Sequence, residues 1–276
     1  MQYRILDSGA GRRLETLGAY RLVRPFSQAI WRPRLEPAQW KSADAEFKGS
    51  MEGGRGRWIR SGAVKPVFDF EFEGYRLECR LTEYGHVGVF FEQRDNWEWL
   101  MRRAVRGKRY LNLFAYTGVA TLALARAGGR VTHIDASRSA VNWAKRNAAL
   151  SGVRADFVRW IVEDARVFVR REAKRGNRYA GIVLDPPTFG RGPKNEVWKI
   201  DRDLMNLLDE CRALCENGAQ DLVLLSAHAH GFTRHVLANA LAEIFPGRRP
   251  IESGEMVLRD EADRELPSGA FARFGN

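Results

Sequence analysis

Apolar residues along this chain change their rhythm once. Over "VFDFEFEGYRLECRL" (67–81) they alternate with charged residues on both sides of Glu73-Gly74. That is the period-2 pattern of a half-buried strand pair joined by a two-residue turn. Cys79 falls on the apolar alternation and is therefore expected in a core. "YRILDS" (3–8) and "YRLVRP" (20–25) are further strand candidates. Residues 1–85 are thus predicted to form a small β-rich unit, with the Gly-rich "KGSMEGGRGR" (48–57) as a loop within it.

From residue 86 onward strands and helices take turns. "RYLNLFA" (109–115), "RVTHID" (130–135), "AGIVLDPP" (180–187) and "QDLVLLSAH" (220–228) are apolar runs that end in polar residues, as buried parallel strands do. Between them "VATLALARAG", "SRSAVNWAKRNAALSG", "DARVFVRREAKRG" and "DRDLMNLLDECRALCENG" show helical spacing, most with a Gly stop. The alternation predicts an α/β domain over 86–276, a doubly wound and mostly parallel sheet. No repeat or low-complexity tract interrupts it.

In such a sheet ligands sit beyond the carboxyl ends of the strands, where the strand order reverses. The polar residues ending these strands should therefore line one site. They are "FAYTG" (114–118), Asp135, Asp164 in "VED", Asp185-Pro186-Pro187 and Ser226. A dinucleotide enzyme needs closely spaced glycines in its first turn so that the backbone can approach a pyrophosphate. Phe114 and Tyr116 obstruct that, and only Gly118 remains. Asp135, 17 residues beyond Gly118, can accept both hydrogen bonds from a ribose diol. A nucleoside without a pyrophosphate satisfies both observations, and S-adenosylmethionine is one. The bland alternative makes Gly118 a helix start and Asp135 and Asp164 helix caps.

Charge changes the picture further. The net charge is +11 and the pI near 9.9, which favours a polyanionic partner through counterion release. Residues 1–60 hold 12 Lys/Arg against 6 Asp/Glu, while the remaining residues hold 33 against 28. "WRPR" (31–34) and "RGRWIR" (55–60) interleave arginine with tryptophan, a combination that can neutralise phosphate and stack on an unpaired base. The alternative is a solvated face with tryptophan anchoring a small core. Three cysteines, Cys79, Cys211 and Cys215, make no disulfide framework and no C-x-x-C pair, which fits a reducing, cytoplasmic setting. No signal-type stretch opens the chain, and no apolar run approaches a membrane span.

Taken together, "LNLFAYTGVATLALARAG", "THIDASRSAVNWAKRNAALSGV", "VEDARVFV" and "IVLDPPTF" resemble the class I S-adenosylmethionine-dependent methyltransferases, in the branch of bacterial large-subunit rRNA base methyltransferases. The resemblance takes in "FFEQRDNW" before strand one and "ELPSGAFARF" as a final antiparallel strand. It implies a seven-stranded sheet and S-adenosylmethionine as cofactor. It also implies that Ala115, Tyr116, Thr117 and Gly118 wrap the methionine portion, that Asp135 holds the ribose, that Asp164 meets the adenine amino group, and that Gln93 contacts the cofactor. The β-rich unit does not resemble the RNA-binding module usual in the cytosine-modifying members of the family.

"DPPTF" (185–189) points to the chemistry. Consecutive prolines fix the backbone, so the Asp185 carboxylate and the Pro186 carbonyl can meet the edge of a planar base, with Pro187 stiffening the turn and Phe189 stacking on its face. Family members that methylate carbon 5 of a pyrimidine use a thiolate after strand four or five. Here those positions read "DPPTF" and "LLSAHAH", so a nitrogen acceptor is expected. Cys211 and Cys215 lie on an apolar helix face and are expected in the core. His228 and His230 read as loop residues without a chemical role, Asn147 reads as structural, and no metal site has convincing spacing. The expectation is a methyltransferase acting on a base nitrogen of RNA, with rRNA favoured and the basic unit helping to hold it. Competing readings are a nucleotide-dependent oxidoreductase, a non-catalytic RNA-binding protein, and a methyltransferase of a protein or small molecule.

Overall fold

A computed structural model describes residues 3–49, 55–62, 64–216, 221–247 and 250–275. Residues 50–54 of the predicted Gly-rich loop, and residues 217–220 spanning the end of one predicted helix and the start of a predicted strand, lie outside the described residues. The chain divides into two compact units, Met1–Phe91 with Val257–Pro267, and Glu92–Met256 with Ser268–Asn276. The sequence pattern places the boundary at 85/86 and carries no sign that 257–267 joins the first unit. Within that unit the side chains of this segment reach back. Ser8 donates to Asp260 at 2.7 Å and Arg264 pairs with Asp7.

The first unit holds β1 (Arg4–Gly9), β2 (Arg12–Leu17), β3 (Tyr20–Pro25), α1 (Pro37–Lys41), β4 (Ala45–Lys48) and β5 (Arg57–Arg60), the five strands forming one sheet in that order. The pairings are antiparallel except β3 with β4. β6 (Val67–Phe72) and β7 (Tyr75–Arg80) make a separate hairpin. Its turn residues Glu73 and Gly74 have φ of 49° and 75°, the paired left-handed turn that matches strand twist. Cys79 is fully buried there. β2 escapes sequence reading because polar residues face inward. Glu15 is fully buried between Arg13 and Arg24 and accepts from Tyr3 at 2.7 Å. The tryptophans serve as anchors: Trp58 donates to the Thr82 carbonyl at 2.8 Å, Trp31 to the Ser8 carbonyl at 3.0 Å, and Trp40 to Asp7 at 3.1 Å.

The second unit runs α2 (Arg94–Arg103), β8 (Arg109–Leu113), α3 (Val119–Arg126), β9 (Arg130–Asp135), α4 (Arg138–Leu150), β10 (Val158–Val162), α5 (Ala165–Lys174), β11 (Gly181–Leu184), β12 (Phe189–Arg191), β13 (Val197–Lys199), α6 (Ile200–Arg212), β14 (Leu222–Ala227), α7 (Arg234–Ile244), β15 (Glu252–Arg259) and β16 (Glu265–Phe274), the last two also supplying Val257–Pro267 to the first unit. Seven strands form one sheet in the order β10-β9-β8-β11-β14-β16-β15, with β16 antiparallel to β14 and the pairings from β10 through β14 parallel. Strand alternation divides the core. Leu111, Leu113, Ile182, Leu184, Val223 and Leu225 pack with α5, α6 and α7 residues such as Phe168, Leu207 and Leu237. Tyr110, Val183, Leu222 and Leu224 pack on the other face with Trp99 and Leu100 of α2 and Leu124 of α3. Cys211 and Cys215 belong to the first of these cores. Among the described residues no helix is long and apolar enough to cross a membrane.

Candidate active site at the carboxyl rim of the sheet

The strand order reverses between β8 and β11, and the register there is level. Leu184 stands beside Leu113 on one side and Leu225 on the other, and Leu113 stands beside Ile134. Asp135 stands beside Val162. The residues that follow, 114–118, Asp135, Asp185 and Ser226, therefore emerge along one rim.

In the loop after β8 the backbone is left-handed at three alternate residues, Phe114 (φ 54°), Tyr116 (φ 48°) and Gly118 (φ 89°). The loop thus takes the path expected of a glycine-rich turn with only one glycine in it. For Phe and Tyr this conformation costs roughly 1–2 kcal/mol each, and packing offsets it. Phe114 lies on Trp198 with ring centroids 4.9 Å apart, and Tyr116 faces Trp143 at 6.1 Å. Asp135 braces the loop, accepting the Tyr116 amide at 2.8 Å on one oxygen and the Ser137 amide at 2.8 Å on the other. Burial raises its carboxyl above the ordinary value although these two amides oppose it. Gly118 also starts α3, where an added Cβ would come within 2.9 Å of the Ala144 Cβ. Ala115 and Thr117 are buried, and Asn147, fully buried, donates to the Thr117 carbonyl at 2.9 Å.

Asp164 has other partners. It caps α5, accepting the amides of Arg166 at 2.9 Å and Val167 at 3.3 Å, and it pairs with the Arg166 guanidinium at 2.9 Å. Arg166 continues to Asp203 at 3.2 Å. Only 5% of Asp164 is exposed. The structure thus gives this carboxylate the partners of a helix cap and a buried ion pair.

Around Asp185 a polar chain assembles. Asp185 accepts the Ser226 hydroxyl at 2.7 Å, Gln93 donates to that hydroxyl at 2.9 Å, and Asn96 donates to Gln93 at 2.8 Å. Gln93, assigned to the cofactor by resemblance, is buried in this chain behind Asp185. The His228 Nε2 lies 3.6 Å from Asp185 Oδ1, so the loop histidine that the sequence leaves without a role stands against the carboxylate. Burial alone would raise the Asp185 carboxyl, but His228, Ser226 and Gln93 hold it below the ordinary range. Pro186 is buried and Pro187 exposed, and the Pro187 carbonyl accepts the Trp198 indole at 2.7 Å. Phe189 is 52% exposed at the start of β12, with the Arg191 guanidinium 5.9 Å from its ring centre. The β12–β13 ribbon is absent from the sequence reading, its strands too short to show a period. Among the described residues no group of three or more His, Cys, Asp or Glu side chains could hold a metal ion.

Comparison with known proteins agrees with this architecture. The family model described as S-adenosylmethionine-dependent methyltransferase matches residues 53–234. Two curated relatives bear the name Ribosomal RNA large subunit methyltransferase K/L. That of Pseudomonas paraeruginosa PA7 is 33% identical over 167 residues, covering 57% of this chain and 21% of that protein. That of Pseudomonas putida F1 is 32% identical over 205 residues, covering 74% and 26%. The chain thus spans about a fifth to a quarter of the length of these relatives. The crystal structure of a SAM-dependent methyltransferase from Agrobacterium tumefaciens is 39% identical and superposes with a TM-score of 0.93 over 99% of this chain and 90% of that one. With the family model matching well over half of its length, this chain belongs to the S-adenosylmethionine-dependent methyltransferase family.

Proposed function

We propose that the chain transfers a methyl group from S-adenosylmethionine to a nitrogen of an RNA base, with ribosomal RNA as the substrate. One juxtaposition supports this reading: loop 114–118, Asp135 and Asp185-Pro186-Pro187 share one rim at the reversal of strand order. The donor set suits the cofactor. Each Asp135 oxygen accepts one backbone amide and keeps lone-pair capacity for a ribose hydroxyl. Bound here, the cofactor would supply an electrophilic methyl group open to in-line attack by a nitrogen lone pair, the S–CH3 bond breaking and S-adenosylhomocysteine leaving.

In this reading Ala115, Tyr116, Thr117 and Gly118 surround the methionine portion and Asp135 holds the ribose. Asp185, kept ionised, and the Pro186 carbonyl accept from the edge of the base, while exposed Phe189 stacks on its face. Gln93 acts through Ser226 and Asp185, and Asp164 stays a cap, so the cofactor assignment rests on the loop and Asp135. The protein's contribution is proximity and fixed charge. Cys211 and Cys215 are core residues and Cys79 is buried in its hairpin, which leaves no thiolate for attack on carbon. Three buried free thiols also suit a reducing cytoplasm.

For the RNA, the names of the curated relatives and the Lys/Arg excess over residues 1–60 point the same way. Arg32, Arg34 and Arg57 are exposed, and exposed Arg55 pairs at the surface with Glu83 at 3.5 Å and hydrogen-bonds Tyr84. Mass spectrometry of rRNA nucleosides from cells with and without the gene tests the proposal. One methylated nucleoside should disappear, and methyl transfer to unmodified rRNA should restore it. An unchanged set of nucleosides with no transfer in vitro overturns it, and a covalent adduct with 5-fluoropyrimidine RNA would move the acceptor to carbon.

A further inference from the structure

We infer that His228 is a fixed cation that positions Asp185, holding one oxygen of its carboxylate in place at the rim. The inference rests on Asp185 being the carboxylate that faces the substrate. His228 follows directly on β14, and its ring meets acceptors on both sides. Nδ1 lies 2.8 Å from the Ser268 carbonyl oxygen and 3.6 Å from Glu92 Oε1. Nε2 lies 3.6 Å from Asp185 Oδ1. A carbonyl and two carboxylates offer lone pairs only, so a neutral ring would turn its own bare lone pair toward one of them. The arrangement is satisfied when both nitrogens carry hydrogen.

The backbone is shaped to hold the ring there. Gly269, beside Ser268 in β16, has φ of 141°, and an added Cβ would stand 2.7 Å from the Ala227 carbonyl, 2.7 Å from the Met256 methyl and 3.2 Å from His228 Nδ1. Only a glycine lets β16 run this close to the histidine while its neighbour's carbonyl meets Nδ1. Among the described residues, Asp185 beyond β11 and Glu92 ahead of α2 face the ring, and both are acidic. Burial by itself would lower the imidazole, but Asp185, Glu92 and the Ser268 carbonyl raise it to about 9. Ser226 completes the clamp, donating to the same Asp185 oxygen that faces His228.

His228 is thus a positioning residue. It compensates the Asp185 charge and, together with Ser226, fixes the direction in which that carboxylate points. Because its pKa is raised, the cation persists below about pH 9 and is lost as pH rises through that value. Above it, Asp185 loses its counter-ion and one of its orienting groups.

Two measurements test this. NMR titration of the labelled imidazoles in the full chain, with His228 assigned by difference from His228→Gln, reads the charge without any need for methyl transfer. His228 should titrate near pH 9 in the wild type and fall to about 6.5, its unperturbed value, or below in Asp185→Asn. Gly269→Ala, which keeps all these groups but displaces the ring, should also lower it while thermal melting shows a folded chain. A wild-type value near 6.5, or no response to Asp185→Asn, overturns the inference.

The second measurement is kinetic, on unmodified rRNA. His228→Gln should reduce kcat about tenfold or more, leave the KM for S-adenosylmethionine unchanged, and abolish the alkaline fall in rate. His228→Lys should recover part of the loss. Unaltered kcat and pH profile in a folded His228→Gln protein overturn the inference. A titration as expected in a chain that methylates no RNA upholds the ion pair and overturns the proposed function alone.

Discussion

Asp135 braces the loop through two amides and, in the proposed function, also meets the ribose. Asp135→Ala should weaken S-adenosylmethionine binding by about 1.5–3 kcal/mol, the loss of charge-assisted hydrogen bonds. Calorimetry checks this, and unchanged affinity would leave Asp135 a loop brace only. Gly118 answers to two constraints at once, a φ of 89° and a Cβ that would press on Ala144 at 2.9 Å. Gly118→Ala should therefore destabilise the chain by about 1–3 kcal/mol, read from thermal unfolding. What single residues could reveal in advance was uneven. The carboxylates at strand ends were legible because apolar runs stop at them. The partners of Asp164 and Gln93 were not: Arg166 is only two residues from Asp164 but meets it through helix geometry, and Gln93 reaches Ser226 across 133 positions by way of the sheet register. His228 was invisible for the same reason, since its meaning depends on β14 lying next to β11.

Elements were legible where burial and polarity agree. β3 and β9 coincide with their sequence patterns, and the β6–β7 hairpin turns at the predicted Glu73-Gly74. β2 contradicts its own composition, with Arg13 and Glu15 inside. β12 and β13, three residues each, are too short for any alternation to register. The polar interior of β2 makes its own prediction. Burial favours a neutral Glu15, but Arg13 and Arg24 hold its carboxyl below the ordinary value. With a folded pKa below the unfolded one, the stabilisation is complete above about pH 4.3 and disappears as pH falls through the lower folded value. Glu15→Ala should remove it at every pH and leave two uncompensated guanidiniums, at a cost of about 3–5 kcal/mol. Denaturant unfolding at pH 7 and pH 3 measures both effects, and the wild type and variant should differ less at the lower pH.

At the scale of the molecule, the family was legible because four strand-end motifs occur in the order that a doubly wound sheet requires. The division into units was only partly so, since no periodicity marks where a hairpin tip joins. The charge asymmetry yields a prediction at this scale. Neutralising Arg32, Arg34, Arg55 and Arg57 together should weaken RNA binding and flatten its salt dependence, each lost phosphate contact removing about one unit of slope in log affinity against log salt. S-adenosylmethionine affinity should hold, because it depends on short hydrogen bonds and burial that salt does not screen. Filter binding at several salt concentrations decides, and an unaltered slope would make the arginines a solvated face. The assignment of Val257–Pro267 to the first unit bears on synthesis order as well. Asp7 and Ser8 are made before Glu92–Met256, yet Arg264 and Asp260, which meet them, leave the ribosome only after it. At about 5–20 residues per second that is a wait on the order of 10–30 s. Through that interval Asp7 is without its arginine, and a chain cut after Phe91 would keep that defect permanently.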